Sequence, residues 1–129
     1  MTKTGLLNPH LLALLARVRH TNTLVIADRG FPFWPQIETV DLSLVDDVPT
    51  VLQVLAAVRA NYVFGKAWMA KEFQRANDKR TQACFVAALK DAGLKFEPHV
   101  DFKKRVPHAI GLIRTADTTP YGNVILESA

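Results

Sequence analysis

Apolar residues recur at helical spacing at Leu11, Leu12, Leu14, Leu15 and Val18, behind an Asn8-Pro9 pair. Asparagine suits the cap and proline the first helical position, so the pattern predicts a first helix. That helix should stop near His20, where Thr21-Asn22-Thr23 is poor helix and good turn. Residues 24–27 form a continuous apolar run, which reads as a buried strand. Residues 29–35 are a loop, because Pro32 and Pro35 lack amide donors and push their predecessors into extended conformations. A second strand is predicted over 39–44, and a helix starting at Pro49 carries Val51, Leu52, Val54, Leu55 and Val58. Residues 63–70 read as a third strand weakened by Gly65. A long helix opens at Asp78 or Thr81 and ends at Gly93, a residue suited to a C-cap. Residues 95–97 form a short strand and 99–105 a short helix, and 109–115 and 123–127 complete the strands. Strands alternating with helices indicate an α/β layered fold with helices on both faces of one sheet.

Length and composition narrow the class. With 129 residues the chain builds one domain, 1–129, with room for a real core. Its 49% apolar and 22% charged content is that of a globular protein. No apolar run approaches the ~20 residues that cross a bilayer, and the first five residues lack a signal peptide's apolar region and cleavage site. No membrane association is expected. The lone Cys84 cannot form an internal disulfide, which fits a reducing cytoplasm.

The net charge of +4 resides wholly in residues 65–129, and its densest cluster is Lys103-Lys104-Arg105. Nucleic-acid binders carry a broader basic stripe, usually beside a recognisable motif. This chain has neither a helix-turn-helix glycine, zinc-ligand spacing nor the aromatic signature of an RNA-recognition sheet, so the cluster reads as a solvated helix face and no nucleic-acid partner is expected.

Candidate chemistry gathers at junctions between elements. The stretch 119–126 sets Tyr121 and Asn123 on a turn built on Pro120 and Gly122, then enters an apolar strand. Phenol and amide together give donors, acceptors and a flat ring face, which suits a polyhydroxylated ligand; the same two side chains also serve ordinary turns. His20 precedes the first strand and Asp28 follows it, while His99 opens a short helix. Imidazole exchanges protons near neutral pH, and a carboxylate after a strand either caps the next turn or faces a ligand. In α/β folds ligands collect at strand ends, where Asp28 and the Tyr121 turn are both expected. Trp34 is open to core packing or sugar stacking.

Taken together these residues form a pattern. His20-Thr21 followed by Leu24-Val25-Ile26-Ala27-Asp28 resembles the D-ribose pyranase and L-fucose mutarotase family. The resemblance continues through Val40-Asp41-Leu42-Ser43-Leu44, Val48-Pro49, His99-Val100-Asp101-Phe102-Lys103, Ile113-Arg114-Thr115 and Pro120 to Leu126. It spans nearly the whole chain with the order of every block kept. It implies a three-layer α/β/α sandwich around one mixed sheet, and an isomerase that interconverts ring forms or anomers of a free monosaccharide without metal or organic cofactor. His20 would be the catalytic proton donor, and Asp28, His99, Tyr121 and Asn123 would hold the sugar. The resemblance further implies a homo-oligomer, a pentameric ring or a decamer of two such rings, with sites at subunit boundaries.

The chain departs from the family pattern at Arg19 and Arg29, where small residues are usual, and at Thr115-Ala116-Asp117, where Thr-Gly-Glu is common. We expect the two arginines to serve subunit contacts. Two other readings remain open at this point: a non-catalytic sugar-binding or transport-accessory protein using the same groups, and a metal enzyme using His20, His99 and Asp28. The second finds no short ligand spacing in its support.

Overall fold

The structure is a computed structural model that describes residue 3 and residues 5–129. In chain order its elements are α1 (Pro9–Leu15), β1 (Thr23–Ala27), β2 (Glu38–Asp41), α2 (Val51–Arg59), β3 (Phe64–Ala70), α3 (Glu72–Ala76), α4 (Lys79–Leu89), β4 (Leu94–Glu97), α5 (His99–Arg105), β5 (Gly111–Arg114) and β6 (Val124–Ser128). The six strands make one mixed sheet in the order β2-β5-β1-β6-β3-β4. β1, β2 and β5 run parallel to one another, as do β3 and β4. β6 is antiparallel to both of its neighbours and joins the two sets.

Alternation along the central strands assigns each face a core. Leu24 and Ile26 of β1, with Val124 and Leu126 of β6, pack under α1, α2, Phe73 and α4. Val25, Ala27, Ile125 and Trp68 point the other way, onto Phe102, Val106 and the Phe31 loop. These are three layers, and the expected α/β/α sandwich around a mixed sheet is the observed architecture. Gly111 lets α1 close onto the first face: a Cβ there would stand 2.6 Å from Leu14 Cδ1.

Side-chain caps set the starts of α1, α2 and α4. Asn8 Oδ1 accepts from the Leu11 N–H, Thr50 and Gln53 form a reciprocal capping box, and Asp78 Oδ1 accepts from Thr81 N–H. The second helix therefore begins at Val51, after its Thr50 cap, rather than at Pro49. Gly93 adopts φ +56, the left-handed conformation its capping position requires.

Several boundaries differ from expectation for local reasons. α1 ends at Leu15, well short of His20. There the Arg19 guanidinium bonds the Ala16 and Val18 carbonyls, and Asn22 Oδ1 takes the Arg19 N–H. β2 stops at Asp41 instead of 44, because the Asp41 carboxylate takes both the N–H and the hydroxyl of Ser43 and turns the chain. A 3₁₀ turn at Val106–His108 shortens the strand expected over 109–115 to Gly111–Arg114. Gly65 sits where the β3–β6 register shifts, a bulge that the strand tolerates. The five-residue α3 was not foreseen.

Candidate functional site

Asp28 leaves the C-terminal end of β1, and Asn123 precedes β6. Because β6 runs antiparallel to β1, with Ile26 opposite Val124, the two residues meet at one end of the sheet. The buried Asn123 amide bridges to Asp28 twice: its Oδ1 accepts the Asp28 N–H at 2.7 Å and its Nδ2 donates to Asp28 Oδ2 at 3.1 Å. Asp28 Oδ1 takes the Gly30 N–H at 3.0 Å. The carboxylate is held from both oxygens while its residue stays half-buried.

His99 and Tyr121 close the cluster. Their rings meet edge-to-face at 5.1 Å, and Phe31 and Phe102 flank the imidazole at 6.4 and 6.1 Å. The His99 Nε2 is buried and has no hydrogen-bond partner. Tyr121 is 38% exposed and sits at φ +55, a left-handed conformation a tyrosine rarely adopts, so its placement is imposed by its surroundings. Burial raises the Asp28 carboxyl above its ordinary value against its hydrogen bonds from Asn123, Gly30 and Phe31. Burial and the Lys103 ammonium lower the His99 imidazole against the pull of Glu72 and Asp28. Both shifts favour the uncharged forms, because burial withdraws solvent from the charged ones.

Four of the five residues picked from the sequence are thus brought together. His20 is not with them within one chain. It lies exposed in the turn before β1, while Asp28 lies just past that strand's other end. Five strand residues put about 13 Å of sheet between the two positions. Next to His20, Thr21 takes φ +66, which is costly for a β-branched residue.

Sequence reasoning missed the groups beneath the cluster. Thr115 and Asp117 are buried polar residues. The Thr115 hydroxyl donates to the Ala27 carbonyl at 2.8 Å, and Asp117 takes the N–H of Val51, at the start of α2, and of Thr119. Arg114 holds the loop after β1 through the Arg29 carbonyl at 3.1 Å. Arg114 and Thr115 were signalled only by their place inside a resembling block, and Asp117 only by lying where the chain departs from the family pattern. Arg29 itself pairs with Asp46 of the same chain at 2.7 Å and Arg19 bonds the carbonyls that end α1. Trp34 lies against Phe31, 6.3 Å between ring centres, with its indole N–H buried and unpaired. In the basic cluster, Lys104 pairs with Asp101, and Arg105 pairs with Glu97 while lying 4.3 Å over the Trp68 ring. That arrangement spends two of the three cations on intrachain contacts. Beside it opens a cavity of about 460 Å³ lined by Thr23, Trp68, Glu97 and Glu127, which includes none of the five candidate residues. Among the described residues no group of three histidine, cysteine or acidic side chains is arranged to hold a metal ion, and no helix is long and apolar enough to cross a membrane.

The model of the RbsD / FucU transport protein family matches residues 1–129. The chain belongs to that family. Among curated members it is 38% identical to a D-ribose pyranase of Geobacillus thermodenitrificans, over 99% of this chain and 96% of that protein. It is 39% identical to one of Chromobacterium violaceum, over 99% and 97%. Within the RbsD / FucU family its fold is similar to the Bacillus subtilis RbsD solved with D-ribose, with TM-score 0.92 and 31% identity over 100% of this chain and 98% of that one. It is also similar, in fold alone, to a Streptococcus pneumoniae fucose mutarotase solved with L-fucose, with TM-score 0.78 and 17% identity over 95% and 92%.

Proposed function

We propose that this protein is a cofactor-independent sugar isomerase, a mutarotase or pyranase that interconverts the ring forms or anomers of a free monosaccharide of the ribose or fucose type. The observation that carries this is the cluster of Asp28, His99, Tyr121 and Asn123 in a chain aligned end to end with proteins named D-ribose pyranase. His99 Nε2 has no partner within the chain, Asp28 has lone pairs to offer a hydroxyl, and the partly exposed Tyr121 ring offers a face to the sugar.

The reaction requires a base to take the anomeric hydroxyl proton and an acid to protonate the ring oxygen as the ring opens. The aldehyde then recloses as the other anomer or ring size, with the protons returned. Positioned proton transfer contributes about 10²–10⁴-fold, enough for a reaction that free sugars already undergo. No step calls for a metal. His20 is the proton donor in this reading, and it comes from a neighbouring copy. One chain separates it from its own Asp28 by a strand's length, so a shared site requires a ring in which the start of one β1 meets the end of another's. Phe33 and Val100, 71% and 64% exposed on the Phe31 loop and on α5, are apolar surface available to such a contact. The assembly is a homo-oligomer, a pentameric ring or a decamer, working on free sugar in the cytoplasm.

The test is saturation-transfer NMR on equilibrated ribose, fucose, glucose and galactose, with and without protein. His20→Ala and Asp28→Asn should each abolish accelerated anomer exchange. Unfolding and refolding the two variants together should restore part of it, since mixed rings contain sites with both wild-type residues. No recovery in mixed assemblies that form normally would sink the shared site. Wild-type protein that binds sugar without speeding exchange would favour a binding or transport-accessory role.

A further inference from the structure

α5 opens on His99 without a cap of its own: the preceding residue is Pro98, and no side chain of its own turn takes the first N–H. The partner comes from another element. Both carboxylate oxygens of Glu72, the first residue of α3, stand 3.1 Å from the His99 nitrogen. At the other end of α3, Asn77 Nδ2 donates to the Pro120 carbonyl at 2.9 Å, immediately before the left-handed Tyr121, and to Phe73 at 2.9 Å. The helix and its C-cap therefore bond the backbone N–H of His99 at one end and the carbonyl before Tyr121 at the other, on two segments with no covalent reason to meet.

The short helix is itself well fixed. Phe73 is fully buried against Phe85, 4.9 Å between ring centres, and the Lys71 N–H bonds the Glu97 carbonyl at 2.8 Å. From α4, Gln82 donates to the Gln74 and Asn77 carbonyls. A rigid element with one polar side chain on the backbone of His99 and another on the residue before Tyr121 has the geometry of a brace.

We infer that α3 is the positioning element of the sugar site, with Glu72 as the positioning residue of His99 and Asn77 that of Tyr121. Neither touches the sugar; each acts through the residue it holds. The inference rests on the sugar-site reading above. Charged groups facing His99 are Glu72 on α3, Lys103 on α5 and Asp28 after β1.

Two measurements test it. The chain has two tyrosines, and Tyr62 is a remote internal standard bonded to the Leu15 carbonyl. With 3-fluorotyrosine incorporated, Asn77→Ala should shift or broaden the Tyr121 fluorine resonance and leave that of Tyr62 in place. Unchanged Tyr121 resonance would overturn the brace without any sugar being added. In the second measurement, Glu72→Ala and Asn77→Ala should each weaken binding of the wild type's preferred sugar about tenfold, the loss expected when a held group is freed to move. Glu72→Gln keeps an acceptor for the His99 N–H, so it should bind within about threefold of wild type. Its His99 ring should also titrate at lower pH than in wild type, since the neighbouring negative charge is gone. Glu72→Gln and Asn77→Ala keep the proposal testable if Glu72→Ala fails to fold. Wild-type affinity in Asn77→Ala, or a Gln variant as weak as a folded Ala variant with no change in His99 titration, would overturn it. A wild type that binds none of the four sugars overturns the sugar-site reading instead, and the fluorine spectra then still decide whether α3 holds Tyr121.

Discussion

Asn123→Asp separates the two bonds that join Asn123 to Asp28. The substituted side chain keeps an oxygen for the Asp28 N–H but replaces the Nδ2 donor, 3.1 Å from Asp28 Oδ2, with a second carboxylate oxygen. Two full charges at that distance repel by about 5 kcal/mol at an effective dielectric constant near 20. Protonating one carboxyl at pH 7, against an ordinary value of 3.8, costs about 4 kcal/mol. Protonation is the cheaper outcome, and burial already pushes Asp28 upward. The folded variant should therefore hold one proton that the unfolded chain releases as pH rises above the ordinary carboxylate range. Its stability must fall with rising pH, by up to about 1.4 kcal/mol per unit until the raised pKa is passed. Between pH 5 and pH 7 that reaches about 2.7 kcal/mol, or about 10 °C in Tm for a domain of this size. Thermal unfolding of wild type and variant at pH 5, 6, 7 and 8 reads the difference directly. A Tm gap that stays constant across this range would show that Asn123 does not face a carboxylate, and the account of the site's floor would fall with it.

Three further outcomes follow from the same geometry. Gly111→Ala should destabilise by about 1–3 kcal/mol in chemical denaturation, because the new methyl meets the fully buried Leu14 within 2.6 Å; a neutral variant would mean that α1 shifts freely. His99 should titrate below 6.5 by NMR, its folded value being depressed by burial and Lys103. Its contribution to stability is then complete above 6.5 and is lost as pH falls through that lower value; a midpoint at or above 6.5 refutes this. Dialysis against a chelator should leave anomer exchange unchanged, and stoichiometric metal whose removal abolishes exchange would contradict the acid–base reading.

What the sequence disclosed follows from the range over which its signals act. Asn8, Asp78 and Gly93 act on neighbours within four residues, and the helix ends they govern were readable. The run at residues 24–27 is apolar because both faces of β1 are covered, so it too was plain. α3 was not: in five residues only Phe73 is buried, and a single apolar position carries no period. The candidate site residues were picked partly from junction chemistry and chiefly from resemblance. Their spatial grouping was only half legible, since residues 20 and 28 look adjacent in sequence while the strand between them sends them to opposite ends of the sheet. Thr115 reads as the end of a strand and the buried Asp117 as a loop residue, and nothing local reveals that the chain around them is covered.

The strand order carries a consequence for how the protein is made. β6, residues 124–128, follows every other element in the chain but lies at the centre of the sheet, and it is the sole strand touching both β1 and β3. A ribosome releasing this chain has already delivered the β2-β5-β1 set and the β3-β4 pair before any strand exists to join them. Each waits with an unpaired apolar edge, the kind of surface that aggregates. Asn123 is delivered with β6, so the Asp28 anchor forms in the same event that welds the sheet. Completion of the fold and completion of this half of the site are one step, and a nascent chain stalled short of residue 124 would have neither.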